Sequence, residues 1–600
     1  MAWGVEATYR DARGRERRVT PEVQRAVRDA MGGDPPPPDG SVAVVRPGGQ
    51  LPRAGDVLLE DGTLLPGLAS LPRDVPAGYH RLSHEAGETL LLTGPGRCAL
   101  PAEKAWGWAA QLYAARSSRS WGFGDLADLR AAGEWAAEAG AGFLLVNPLH
   151  AVAPVVPQQA SPYFPSSRRF RNPLYLRVEE VPGADLAGPE LERLARAGHA
   201  LNGGGRIDRD AVFELKLRAL QRIWRAGPPL DGLAAYRDRQ GEALRQWAAY
   251  AAVAERHGAR WVDWRPELRR PDGPGLARFA VEHRDRVDFH AWLQWQLDEQ
   301  LARAGRALPV IADLAIGIDR HGADAWAWQD ELAMGANVGA PPDAFNPAGQ
   351  DWGMPPFVPH RLRAVGYRPF IETLRAALRH AGGVRIDHVL GLFRQWWVPR
   401  GADPADGAYV RFPADDLLEI VALESARAAA LVIGEDLGTV APGVRRELRR
   451  RRVLSCRLAY FERVPPSRYP RGSLGAVTTH DLPTVAGTWL GTDLEAQRRA
   501  GLPADRAGLA TLRERLRRVA GVSRDAGVED VILRIHAAVA AAPSLLVSAT
   551  LEDAMRVEER PNLPGTTAPQ RDNWSLALPV PIEELVSDER VRATVEALDR

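Results

Sequence analysis

Cysteine is nearly absent from this chain of 600 residues: Cys98 and Cys456 are the only two, and they stand far apart. They supply neither a disulfide framework nor a metal-ligand spacing, which fits a reducing compartment. The 13 histidines include no His-x-His or comparable ligand set, so a metal-dependent hydrolase is disfavoured. Long apolar runs are missing too. None approaches the about 20 residues that span a bilayer, and the N-terminus has no signal-peptide core, so the chain reads as cytoplasmic and soluble, with no membrane partner. Charge of one sign is not in excess: the net +1 argues against a nucleic-acid surface. Lysine is reduced to Lys104 and Lys216 beside abundant Arg, Ala and Gly, a bias read as genome base composition. There is no internal repeat or low-complexity array.

What is present is globular in kind, with 45% apolar and 26% charged residues. The length exceeds one ordinary domain, although an α/β barrel with insertions can take up more than about 400 residues. Tryptophan is plentiful at 18 copies. Such rings anchor cores, and they also stack on the apolar faces of sugars.

Helical spacing of Val23, Ala26, Val27 and Ala30 after Pro21 predicts a short helix ending at Gly32-Gly33, followed by a stiff linker at Pro35 to Pro38. From about residue 41 to 100 short β-type segments alternate with Gly and Pro turns, as in a small β module. Beyond about residue 105 helical stretches alternate with short buried strands. In the clearest unit Ile371, Leu374 and Leu378 share a helix face, Gly382-Gly383 end the helix, and Val384 to Ile386 form a strand. Residues from about 185 to 290 break the rhythm, being helical and Arg-rich, and read as an insertion. The fold class expected is α/β: a (β/α)8 TIM barrel with inserted helical subdomains, preceded by a small N-terminal β-rich module. On that reading residues 1–100 hold the N-terminal helix and β module, and 101–600 the catalytic barrel.

Three acidic residues, Asp387, Glu435 and Asp481, each close an apolar or β-favouring run: Gly383 to Ile386, Leu431 to Gly434, and Val477 to Thr479. In parallel α/β barrels the active site lies at the C-terminal ends of the strands. An acid in that position is also a common helix N-cap. Three of them, with Arg385, His388 and His480 alongside, point to a site. Carboxylates without a metal or a Ser/His pair suit glycosyl transfer, in which one carboxylate attacks the anomeric carbon and one carboxylic acid protonates the leaving oxygen; in retaining enzymes the two lie about 5 Å apart. Arg385, on the same strand face as Asp387, suits the nucleophile, and Glu435 beside Asp436 suits the proton donor.

From about Trp106 to Trp574 the chain resembles the 4-α-glucanotransferases of the amylomaltase or disproportionating-enzyme family, relatives of the α-amylases. The motifs that carry the resemblance are Arg385-Ile386-Asp387-His388, Gly434-Glu435-Asp436-Leu437-Gly438 and Thr479-His480-Asp481. It implies Asp387 as nucleophile, Glu435 as acid/base and Asp481 as the grip on the donor sugar. Ser161-Pro162-Tyr163 resembles the family's early substrate loop, and Asn562-Leu563-Pro564-Gly565-Thr566 its last one. Asp343, Phe345, Gln350 and Trp352 fall in what resembles a glucan-covering loop at about 335–357, where Ala344 replaces a frequent Tyr. Asp313, at a strand end, is expected to support the site. No metal or cofactor is implied. Expected partners are α-1,4-glucans, namely maltooligosaccharides and amylose, with glycogen a further candidate, and the protein is expected as a monomer or homodimer. Hydrolysis of the α-amylase type uses the same carboxylates, and a non-catalytic glucan-binding protein is the alternative of another class.

Overall fold

The computed structural model describes residues 3–11, 14–32, 40–343 and 348–599; the Pro35 to Pro38 linker, Ala344 and Phe345 lie outside them. Eight strands close into a barrel in chain order: β1 (Ala105–Ala110), β2 (Phe143–Val146), β3 (Val310–Leu314), β4 (Gly383–Ile386), β5 (Leu431–Gly434), β6 (Leu454–Leu458), β7 (Ser473–Ala476) and β8 (Leu546–Thr550). Pairings β1–β2, β2–β3, β4–β5, β5–β6, β7–β8 and β8–β1 are parallel. The fold is the expected (β/α)8 barrel. Strands covered on both faces show no alternation, which is why β4, β6 and β7, buried along their whole length, read as continuous runs.

The chain divides into two compact units, Met1–Leu100 with Leu314–Ser455, and Pro101–Asp313 with Cys456–Arg600. In the first, the helix Pro21–Met31 begins at Thr20, whose hydroxyl accepts from Val23 N, and stops at Gly32 with φ of 77°. A five-stranded sheet follows, in the order Val42–Val44, Gly87–Thr93, Gly78–His84, Gln50–Leu58, Leu64–Ser70. It is tied to the helix Ala414–Ala428, which leads into β5, by Arg46 donating at 2.8 and 2.7 Å to the fully buried Glu419, and by Tyr79 Oη donating at 2.7 Å to Glu424. Those ties join the N-terminal module to the helix behind β5. The unit also holds a four-stranded sheet of Gln350–Asp351, Ala336–Ala340, Arg394–Pro399 and Ala408–Arg411.

In the second unit the stretch read as an insertion carries the helices Pro189–Ala200, Arg209–Arg225, Leu233–His257 and Pro274–Glu282, with Arg284–Ala304 leading to β3. Two boundaries differ from the sequence reading. The helix before β4 ends at Leu378, where His380 takes a left-handed φ of 60°, and Gly383 already belongs to the strand, where a Cβ would come within 2.7 Å of Leu431. The third run is not a strand: β7 ends at Ala476, and Val477 to Asp481 form the turn beyond it.

Candidate active site

The sequence-derived residues fall into two groups, one in each unit. In the first unit Asp387 and Glu435 each stand one residue past a barrel strand, and the register pairs Ile386 with Gly434, so the two acids follow neighbouring parallel strands at the same level. Main-chain bonds fix them there. Glu435 N donates to Ile386 O and Val389 N to Glu435 O, both at 3.0 Å. The Glu435 carboxylate accepts from His388 N at 2.9 Å and from Leu437 N at 2.7 Å. Gly434 is required at this crossing, because a Cβ would sit 2.8 Å from the Val389 side chain.

Arg385 Nη1 donates to Asp387 Oδ1 at 3.2 Å; the guanidinium side chain is 8% exposed and the carboxylate 22%, so the anion keeps an open face while its counter-ion is enclosed. Burial raises the pKa of Glu435 above the usual carboxylate range, against the pull of Arg385 and of the two backbone donors, and with the help of Asp436. Asp436 is itself buried and paired with Arg445 at 2.8 Å. His388 holds a left-handed backbone, φ 47° and ψ 57°, uncommon for a non-glycine residue and of the kind that gathers at functional sites. Its ring meets Trp352 edge-on at 5.5 Å, and Trp352 Nε1 donates to Gln350 Oε1 at 3.2 Å. Asp343 is half-buried, whereas Phe345 falls outside the described residues.

In the second unit Asp481 is gripped by side chains: Asn562 Nδ2 donates to its Oδ1 at 2.7 Å, and His480 Nε2 lies 3.4 Å from Oδ2. Asn562, expected in a substrate loop, thus lies against the third carboxylate. Tyr163 Oη donates to Asp313 Oδ2 at 2.6 Å, and its ring stacks on His480 with centroids 4.8 Å apart. Ser161 Oγ accepts from Tyr163 N at 3.3 Å, shaping the turn that presents the tyrosine. Among the described residues no group of three or more His, Cys, Asp or Glu could hold a metal ion, and no helix is long and apolar enough to cross a membrane.

Residues 110–581 match the family model of the 4-alpha-glucanotransferases. The chain belongs to that family. The 4-alpha-glucanotransferase of Mycobacterium tuberculosis is 43% identical over 88% of this chain and 80% of its own length, and that of Haemophilus influenzae 33% identical over 87% and 83%. Among solved structures, the amylomaltase from Corynebacterium glutamicum superposes with a TM-score of 0.88 at 31% identity, covering all of this chain and 98% of its own. The amylomaltase from Streptococcus agalactiae, solved in complex with acarbose, has a TM-score of 0.67 at 16% identity over 83% of this chain and 98% of its own, a likeness of fold.

Against this family background three residues stand out that the sequence reading left without a role. Trp574 packs on both Tyr163 and His480, with centroids 5.5 and 5.4 Å away, completing an aromatic cluster. Arg560 donates to Asp481 O at 3.1 Å and pairs with the buried Asp493 at 2.9 Å. Glu552, buried just past β8, has its pKa pushed up to about 7, first by burial and then by Asp553, with His480 opposing. An acid following a strand was the available signal for Glu552; Trp574 and Arg560 offered none.

Proposed function

We propose that this family member transfers a segment of one α-1,4-glucan to the 4-hydroxyl of another, keeping the anomeric configuration, with Asp387 as nucleophile and Glu435 as acid/base. One observation carries this reading: two carboxyl groups at the ends of neighbouring, in-register parallel strands occupy opposite environments, Asp387 beside a guanidinium and Glu435 with its proton affinity raised by burial. Glu435 gives its proton to the glycosidic oxygen as a carboxylate oxygen of Asp387 attacks the anomeric carbon. The bond to the leaving chain breaks and a glycosyl ester forms. The acceptor hydroxyl then gives its proton to the Glu435 carboxylate while its oxygen takes the anomeric carbon, and Asp387 departs as a carboxylate beside Arg385. Two displacements at one carbon restore the starting configuration.

Asp481, oriented by Asn562 and His480, takes the part of holding the donor sugar's hydroxyls, and Tyr163 the part of a stacking platform. Gln350, Trp352, Asp343 and Phe345 belong to the covering loop that favours a sugar acceptor over water. Substrates of this reading are maltooligosaccharides, amylose and glycogen, met in the cytoplasm, where the two buried cysteines remain reduced. Hydrolysis is the weaker reading, since the relatives bear transferase names. Incubation with maltotriose separates the two: transfer yields glucose and a ladder of longer maltooligosaccharides, while glucose and maltose without longer products would reject it.

A further inference from the structure

A groove of about 590 Å³ opens on the second unit, lined by Arg463, Ala510, Thr511, Glu514, Arg515 and Arg518. All but Arg463 come from the helix Arg506–Ala520, where Thr511, Glu514, Arg515 and Arg518 recur at three- and four-residue steps and so share one face. Arg463 comes from the segment that follows β6. Three guanidiniums therefore line one concavity. The one carboxylate among the lining residues is already engaged, since Glu514 accepts from Arg517 Nε at 2.9 Å and Nη2 at 2.7 Å.

The guanidiniums of Arg463 and Arg518 have no hydrogen bond or ion pair among the described residues. Arg515 is tethered, its Nη1 donating to Tyr460 O at 2.5 Å, and its pKa is lowered by burial and then by the charges of Arg518 and Arg463. Beside it the Tyr469 hydroxyl is buried without a hydrogen-bond partner. Like charges held together in a concavity raise the local potential and favour an anion there. Guanidinium forks match phosphate oxygens, and the groove falls within the range of small-molecule sites, about 300–1,000 Å³, larger than a phosphate ion needs. No aromatic ring lines it, so a neutral glucan would find no stacking surface.

We propose that this groove binds a small phosphorylated sugar, with the phosphate monoester held by Arg463, Arg515 and Arg518 and the sugar ring lying against Ala510 and Thr511. None of these residues belongs to the transfer site, so the binding is independent of the reading given for Asp387 and Glu435. Titration calorimetry of the full chain with glucose 6-phosphate tests it, with glucose and inorganic phosphate as separate arms and Arg463→Ala/Arg518→Ala as the variant. The expected result is saturable binding of glucose 6-phosphate, none of glucose, and at least tenfold weaker binding of inorganic phosphate. The double variant should lose about tenfold in affinity for each guanidinium removed while its transfer from maltotriose stays unchanged. No binding at millimolar glucose 6-phosphate, an unchanged affinity in the double variant, or equal affinity for inorganic phosphate would each overturn the proposal.

Discussion

The two groups of candidate residues are held by different means. Around Glu435 the fixing is done by main chain, through strand pairing and the amides of His388 and Leu437, with Asp387 at the end of the paired strand beside Arg385; around Asp481 it is done by the side chains of Asn562 and His480 on a turn past β7. Exposure follows the same division, 22% for the Asp387 side chain and 47% for Asp481. Atoms that exchange bonds need a fixed separation, and backbone pairing supplies it. A group that grips a sugar can tolerate adjustable partners.

The contrast is sharpest in the acids themselves. Asp387→Asn and Glu435→Gln should each lower turnover on maltotriose by about 10³-fold or more while glucan binding persists, because on the proposed reading each removes a bond-making or proton-moving group and leaves the main chain intact. Unchanged activity in either variant would break the comparison at its first half. Glu419→Gln tests whether the brace behind β5 matters. Breaking this buried contact with Arg46 and Arg451 should cost about 3 kcal/mol, read as a lowered midpoint in urea, with the product pattern unaltered.

In the other half the effect should be smaller. Asn562→Ala removes a donor to Asp481, for which about 1.5–3 kcal/mol is typical, so kcat/KM should fall about ten- to a hundredfold. A loss as large as that of Glu435→Gln would mean that side-chain support is no more forgiving than main-chain support. The smallest effect is a shift of pH profile. Asp436 helps to raise the pKa of Glu435, so in Asp436→Asn the proton leaves at lower pH, and the alkaline limb of kcat/KM should move toward acid. The Arg445 left behind acts in the same direction. Movement toward alkali would refute the assignment of that limb to Glu435.

What was readable in the sequence follows from where the determinants lie. β4 and β5 are buried on both faces and end on an acid within one residue, so the local text carries both strand and site. Val477 to Thr479 misled because β-favouring residues also occur in turns: the Thr478 hydroxyl donates to Pro483 O at 3.1 Å and closes the loop instead of joining the ladder. Trp574 was invisible as a site residue because nothing near it in sequence marks its packing on Tyr163 and His480. The brace of Arg46 on Glu419 joins residues 373 apart, and a single sequence cannot register such a pair.

The left-handed turn at His388 bears on how this enzyme can change over time. The amide that follows Asp387 also donates to the Glu435 carboxylate, so on the proposed reading the nucleophile and the proton donor share one turn. On that reading the stereochemical outcome depends on the gap between the two carboxyl groups, and the register of β4 against β5 sets the two residues at one level. A change of acceptor, chain length or leakage to water would then call for changes in the outer loops, whereas a change of stereochemical outcome would call for a different spacing of the two acids.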